Sequence, residues 1–336
     1  MRGRSMRAAF YDGQGPAAEV LRIAELDDPV PAAGEVRVRI TVSGVSPGDT
    51  KKRAGWPGSP MVYSRVVPHS DGAGVIDAVG EGVDAARIGT RVWTFGAQSY
   101  RAFGTAAEMT CLPQELAVPL PDGVTDEVGA CLGIPGITAH RAVFADGPVA
   151  GSVVLVQGVL GAVGSLAAQL ARWGGATVIG TCTRSTDILA ASAVAHHVVA
   201  LDGPDPAAAV REFAPGGVDR VVEVSFSDNL ALDVAVLADN GVVASYATRH
   251  DPTTIEFWPM AFANVTLRML GSDDFPVASK RHAADDLTAA AADGALAISV
   301  AEVFPLSRIA EAHDRVDSGG RGRVLVSVAG LADSGE

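Results

Sequence analysis

The sequence predicts an α/β protein in which a doubly wound, Rossmann-type parallel domain is inserted in a β-rich barrel domain. Three observations lead there. From Met6 to about Leu120, short segments with period-two alternation are broken by Gly and Pro. From about Asp126, helical segments alternate with apolar strands. The apolar run Val153–Val156 passes into the turn Gly158-Val159-Leu160-Gly161-Ala162-Val163-Gly164 and then into a helix-forming stretch.

The barrel strands are expected at Arg7–Tyr11, Glu35–Val42, Gly74–Val79 and Arg91–Phe95. The parallel sheet is expected from Val153–Val156, Thr177–Gly180, His197–Leu201, Val218–Val224, Val242–Tyr246 and Val265–Leu270. Helices follow at about Ala283–Asp293 and Leu306–Asp317, and a closing strand at Gly322–Val328 returns to the first domain. The expected domains are therefore residues 1–128 with 274–336, and residues 129–273. Leu331–Glu336 reads as a frayed tail.

The 336 residues exceed one typical core, and 48% hydrophobic with 19% charged residues is a well-packed composition. A formal charge of −13 argues against nucleic acid or an anionic membrane as partner, and Lys51-Lys52-Arg53 is too short a basic run to offset it. No apolar h-region follows the basic start Met1–Ser5, and no stretch reaches the ~18 apolar residues of a membrane span, so a cytoplasmic location is expected. Cys111, Cys131 and Cys182 read as buried thiols of a reducing compartment.

A strand, a glycine turn and a helix arrive in the order a dinucleotide site needs. The glycines allow a sharp turn and close approach to a pyrophosphate, whose charge the new helix's free N–H groups stabilise. Gly158, Leu160, Gly161, Ala162, Val163 and Gly164 are the expected contacts, and a second strand at Ala176–Thr181 completes the βαβ unit. About twenty residues beyond the loop, a carboxylate would bind the ribose hydroxyls of NAD. Here Thr181-Cys182-Thr183-Arg184-Ser185 carries none. Thr183 and Arg184 are expected to hold a 2′-phosphate, which selects NADPH. Arg184 has a second reading, as a solvated residue before a helix capped by Ser185 or Thr186.

These and further segments resemble the zinc-free quinone oxidoreductases of zeta-crystallin type, in the medium-chain dehydrogenase/reductase superfamily. The likeness rests on Pro68–Val83, Gly133–His140, Gly217–Val224, Ala310–Asp314 and Gly322–Val326, and spans nearly the whole chain. It implies a GroES-like barrel, an NADPH-dependent reduction of quinones or similar conjugated carbonyls, and a homodimer formed by the edge strand Val265–Leu270. It also implies that Thr138 places the nicotinamide and that Ser227, Ala247, Thr248, Arg249, Gly271 and Ser272 touch the cofactor. Arg249 reads either as a second phosphate anchor or as a solvated loop residue.

The resemblance to zinc alcohol dehydrogenases stops at the metal, because Ser46 stands where a thiolate is needed and no cysteine cluster exists for a structural zinc. No metal is expected. Asp71 and Glu108 read as paired or capping carboxylates, and His69 as a polar residue near the cleft. Hydride transfer to a conjugated carbon needs only positioning and a donor to the enolate-like oxygen. At the positions of the family's asparagine and tyrosine stand Ser46 and Lys51, and Ala106 replaces an aromatic residue. Lys51 has two readings, as cationic donor to the oxyanion or as surface lysine. Ser46 is expected to line the cleft, with Asp49 capping the next turn, and Trp56, Tyr63, Trp93 and Phe95 each read either as a cleft wall or as a core residue. An enoyl reductase and a non-catalytic NADPH-binding protein are the alternatives.

Overall fold

A computed structural model describes residues 5–56 and 59–328, so the basic start at Met1–Arg4 and the tail at Leu331–Glu336 lie outside the described residues. The first segment contains β1 (Ser5–Phe10), α1 (Ala17–Val20), β2 (Arg22–Asp27), β3 (Glu35–Val45), α2 (Pro47–Ala54), β4 (Asp71–Val79), β5 (Arg91–Thr94), β6 (Met109–Pro113), β7 (Ala117–Pro119) and α3 (Asp126–Leu132). In β3 the alternation does what it predicts. Val36, Val38 and Ile40 are fully buried, while Arg37 on the opposite face reaches Asp77 of β4 at 2.7 Å.

The next segment carries α4 (Ile134–Phe144), β8 (Val153–Val156), α5 (Ala162–Trp173), β9 (Thr177–Cys182), α6 (Ile188–Ala191), β10 (His197–Ala200), α7 (Pro206–Phe213), β11 (Val218–Glu223), α8 (Phe226–Val236), β12 (Leu237–Ser245), α9 (Phe257–Phe262), β13 (Thr266–Met269) and α10 (Val277–Ala292). The chain then returns through β14 (Val300–Pro305), α11 (Ile309–Asp317) and β15 (Arg323–Ser327).

Two compact units result, residues 1–135 with 298–336, and residues 136–297. In the first, the strand order is β14-β15-β3-β4-β5-β7, with β6 also on β3. β15 lies antiparallel to β3, Leu325 opposite Gly44, so the closing strand joins the barrel sheet as expected. In the second, six parallel strands run β10-β9-β8-β11-β12-β13. Leu155, Ile179, Val221 and Val243 from four of them form a core with Phe226 and Leu230 of α8.

The second unit extends further at its end than the expected boundary. Fully buried Leu287 of α10 lies against Gly136, Trp173 Nε1 donates to Asp293 at 3.2 Å, and the Ala297 N–H donates to Gln169 at 2.6 Å. These contacts hold residues 274–297 on the parallel sheet's own unit. Strands β2, β6, β7 and β14 have no counterpart in the sequence expectation. β2 is almost wholly exposed and lacks apolar alternation, and β7 has three residues. Among the described residues no helix is long and apolar enough to cross a membrane.

Candidate active site

The parallel sheet changes direction of winding between β8 and β11, since β8, β9 and β10 step one way and β11, β12 and β13 the other. Ligands bind at the carboxyl ends of strands beside such a point. There Gly158 takes φ +64°, a left-handed conformation that glycine adopts without strain. Gly161 is the N-cap of α5, and Leu160, Ala162 and Val163 are half-buried around it. A Cβ on Gly164 would meet the Gly158 carbonyl oxygen at 2.4 Å, so the turn closes on the helix only with glycine at that position. Thr138, in α4 of the same unit, is 5% exposed.

The loop rests on a buried polar chain. The Gly158 N–H donates to Thr181 Oγ1 at 3.0 Å, the Thr181 hydroxyl to Gln157 Oε1 at 2.7 Å, and Gln157 Nε2 to Asp233 Oδ1 at 2.7 Å. Burial and the neighbouring Glu223 push the Asp233 carboxyl well above the carboxylate range, and burial raises Glu223 as well. Glu223 in turn accepts from the Ser225 N–H and from Asn229 Nδ2. Gln157 and Asp233 were not among the expected residues. The signal for them is a glutamine directly after an apolar strand, where a polar side chain needs a buried partner.

Past β9, Thr183 and Arg184 are exposed, and Arg184 Nε lies 3.6 Å from Asp187. Neither Ser185 nor Thr186 caps a helix here. The Ser185 N–H donates to both oxygens of Asp202 at 3.0 Å, and Thr186 Oγ1 turns to Asp187. Asp202 lies beyond β10, outside the window in which sequence reasoning seeks a ribose carboxylate. On the other side of the switch, Ser227, Ala247 and Thr248 come together. The Ser227 N–H donates to Thr248 Oγ1 at 3.3 Å, and the Phe226 N–H to the Ala247 carbonyl at 3.1 Å. Arg249 is exposed, 3.4 Å from Asp228, and Gly271 and Ser272 follow β13.

In the barrel unit the expected pair separates. Ser46 N-caps α2, with Asp49 accepting its N–H at 2.8 Å, so the turn-rich stretch is an eight-residue helix with a capping box. Ser46 Oγ donates to Asp71 at 3.4 Å and accepts from both terminal nitrogens of Arg323 at 3.4 Å. Asp71 is fully buried and its pKa is raised to about 7, chiefly by burial, with Arg323 opposing. Its second oxygen accepts the Ile134 N–H at 2.8 Å. Lys51, on the same helix, is exposed, so the buried cluster around Ser46 does not include it. Arg323 read in sequence only as part of the closing strand.

Of the four aromatic residues, Trp93 and Phe95 take the core reading, 0% and 2% exposed with ring centroids 5.7 Å apart. Trp56 and Tyr63 are exposed. His69 is no open polar residue. It is fully buried, with Nδ1 2.8 Å from Ser43 Oγ and Nε2 2.9 Å from His313 Nε2. Burial, and then the second imidazole, holds His69 well below its usual pKa, and His313 falls to about 3 through burial and Arg53.

Residues 32–122 match the family described as alcohol dehydrogenase GroES-like domain, and residues 162–283 the family described as zinc-binding dehydrogenase. The chain is 31% identical over 340 residues to a human quinone oxidoreductase, covering 96% of this chain and 97% of that one. It is also 31% identical over 327 residues to a 2-haloacrylate reductase of a Burkholderia species, covering 92% and 94%. A mycobacterial protein solved in complex with NADPH superposes with a TM-score of 0.80 at 26% identity, over 96% of this chain and 100% of that one. The chain belongs to the medium-chain dehydrogenase/reductase superfamily, whose oxidoreductases combine a GroES-like barrel with a nucleotide-binding Rossmann-type sheet.

Membership in a family described by zinc does not bring a zinc site with it. A catalytic zinc needs a thiolate or free imidazoles with an open position. Here Ser46 is committed to Asp71 and Arg323, both ring nitrogens of His69 are engaged, and Glu108 pairs with Arg7 at 3.1 Å. The side chains around Ser46 do not fit a catalytic zinc.

Proposed function

We propose that this protein reduces quinones or similar conjugated carbonyl compounds with NADPH, without a catalytic zinc. The observation that carries the cofactor choice is the end of β9, where an exposed Arg184 stands and no carboxylate follows the strand directly. The 2′-phosphate would meet a guanidinium fork and the Thr183 hydroxyl, with Arg249 as a second anchor. Gly158, Leu160, Gly161, Ala162, Val163 and Gly164 would cradle the pyrophosphate, and Thr138, Ser227, Ala247, Thr248, Gly271 and Ser272 the remainder. The mycobacterial protein solved with NADPH supports this assignment.

When bound, the cofactor supplies a hydride. The chain's task is then to hold the acceptor carbon in line and to stabilise the oxygen on which charge develops. Lys51 is the proposed cationic donor; Ser46, the other candidate, already gives its one hydroxyl proton to Asp71. A relative named quinone oxidoreductase supports the quinone reading, and one named 2-haloacrylate reductase favours a second, reduction of activated alkenes.

The test is NADPH consumption by chelator-dialysed protein across a panel of quinones and 2-enones. Turnover of quinones supports the first reading and preference for enones the second. No turnover with any acceptor, despite tight NADPH binding, leaves a non-catalytic binding protein and overturns both.

A further inference from the structure

Within the unit of residues 136–297, two helices bring three ligating side chains together. His282 and Asp286 lie one turn apart on α10, four residues being the spacing that stacks side chains on one helix face. His140 meets them from α4. His140 Nε2 is 2.7 Å from Asp286 Oδ2, and His282 Nε2 is 3.2 Å from the same oxygen. One ligand atom from each of the three lies within 4.8 Å of the others, and the imidazoles meet edge to face with centroids 5.1 Å apart.

We propose that His140, His282 and Asp286 form a binding site for one divalent transition metal of the zinc class. Two imidazole nitrogens and one carboxylate oxygen suit zinc, cobalt or nickel, whereas magnesium and calcium take oxygen ligands. Around a tetrahedral zinc with bonds of about 2.0–2.1 Å, ligand atoms stand about 3.3 Å apart. The His282–Asp286 separation already matches. The His140–Asp286 contact must open by roughly 0.6 Å on that geometry as a hydrogen bond gives way to two metal bonds.

The surroundings suit such a site. The His140 side chain is 5% exposed and packs against Phe144 with centroids 4.9 Å apart, which fixes one ligand in place. The His140 proton must pass from Nε2 to Nδ1 to free the coordinating lone pair, with no net change in charge. His282, 68% exposed, swings to complete the set and leaves a fourth position to water. The site joins α4 to α10, so a bound metal links two helices of one unit.

Titration of untagged, chelator-dialysed full-length protein with zinc by calorimetry tests this. One equivalent should bind with a dissociation constant on the order of micromolar. H282Q and D286N should each weaken binding by roughly tenfold or more. Cobalt should give visible absorption bands in the parent and not in these variants, and zinc should raise the urea midpoint of the parent alone. H282Q alters an exposed side chain, so it keeps the parental fold. Binding no tighter than millimolar in the parent, or unchanged in both variants, overturns the proposal. The triad is then a hydrogen-bonded link between helices only.

Discussion

The Gly158 N–H donates to Thr181 Oγ1 at 3.0 Å, which ties the first glycine of the loop to the carboxyl end of the neighbouring strand. Thr181 is fully buried, and its hydroxyl passes the chain on to Gln157 and so to Asp233. The loop's shape is therefore set by side chains beneath it as well as by its glycines. Thr181→Val deletes the hydroxyl at nearly constant volume and leaves a buried N–H and amide oxygen without partners. Stability should fall by roughly 1–3 kcal/mol and cofactor affinity should drop with it. Denaturant midpoints and cofactor titration check both, and a variant that matches the parent in each would show that the glycines alone hold the turn.

Arg184→Asp replaces the proposed phosphate fork with a charge of the same sign as the phosphate. NADPH affinity should fall and the preference over NADH should vanish or reverse. Dissociation constants for both cofactors in both proteins decide it. Equal affinities in the parent would remove Arg184 as discriminator, and Asp202 nearby would then become the group to examine.

Lys51→Met keeps most of the apolar stem and deletes the charge. If Lys51 donates to the developing oxyanion, kcat should fall about tenfold or more, which corresponds to ~1.4 kcal/mol of transition-state stabilisation. Cofactor affinity should stay as in the parent. An unchanged rate with the best acceptor would make Lys51 a surface residue, as its exposure on α2 allows.

Asp71 couples stability to pH in a calculable direction. Below about pH 4 both the folded and the unfolded carboxyl hold the proton. Between there and about 7 the unfolded chain has released it while the folded chain retains it, so this residue's contribution to stability falls as pH rises through that interval. Asp71→Asn keeps an acceptor for the Ile134 N–H and removes the titration. The variant should lose less stability than the parent between pH 4.5 and 7.5, read as the difference in urea midpoints. Parallel profiles would mean that Arg323 holds Asp71 ionised throughout.

β13 ends the parallel sheet, and the exposed apolar side chains Trp258, Phe262 and Met269 lie in α9 and β13. An open apolar edge invites pairing with a second copy, so the proposed homodimer should form through residues 265–270. Light scattering at micromolar concentration should report a dimer, and Leu267→Pro should yield monomer. A monomeric parent would count against this edge as an interface.

Much of this was legible in order along the chain. The alternation of β3, the apolar runs of the parallel strands and the spacing of Gly158, Gly161 and Gly164 are local patterns, because backbone geometry repeats every two or 3.6 residues and tight turns need glycine. Thr183, Arg184, Ser227 and Ala247–Arg249 were legible as residues that follow apolar strands, whereas the strand order came only from the pairing in the folded sheet. The exposed hairpin strand β2 and the three-residue β7 were not legible, since neither carries enough apolar alternation to register.

What the sequence could not convey is which polar side chains far apart in it become neighbours. Asp71 meets Arg323 across more than two hundred positions, His69 meets His313, Gln157 meets Asp233, and His140 meets Asp286. Each pairing is decided by strand register or helix packing and is enforced by burial, because a polar group removed from water must find whatever partner the fold brings near. Local periodicity determines the elements and the glycine loop between β8 and α5. Only the tertiary structure turned Ser46 inward to Asp71 and left Lys51 exposed on the same helix.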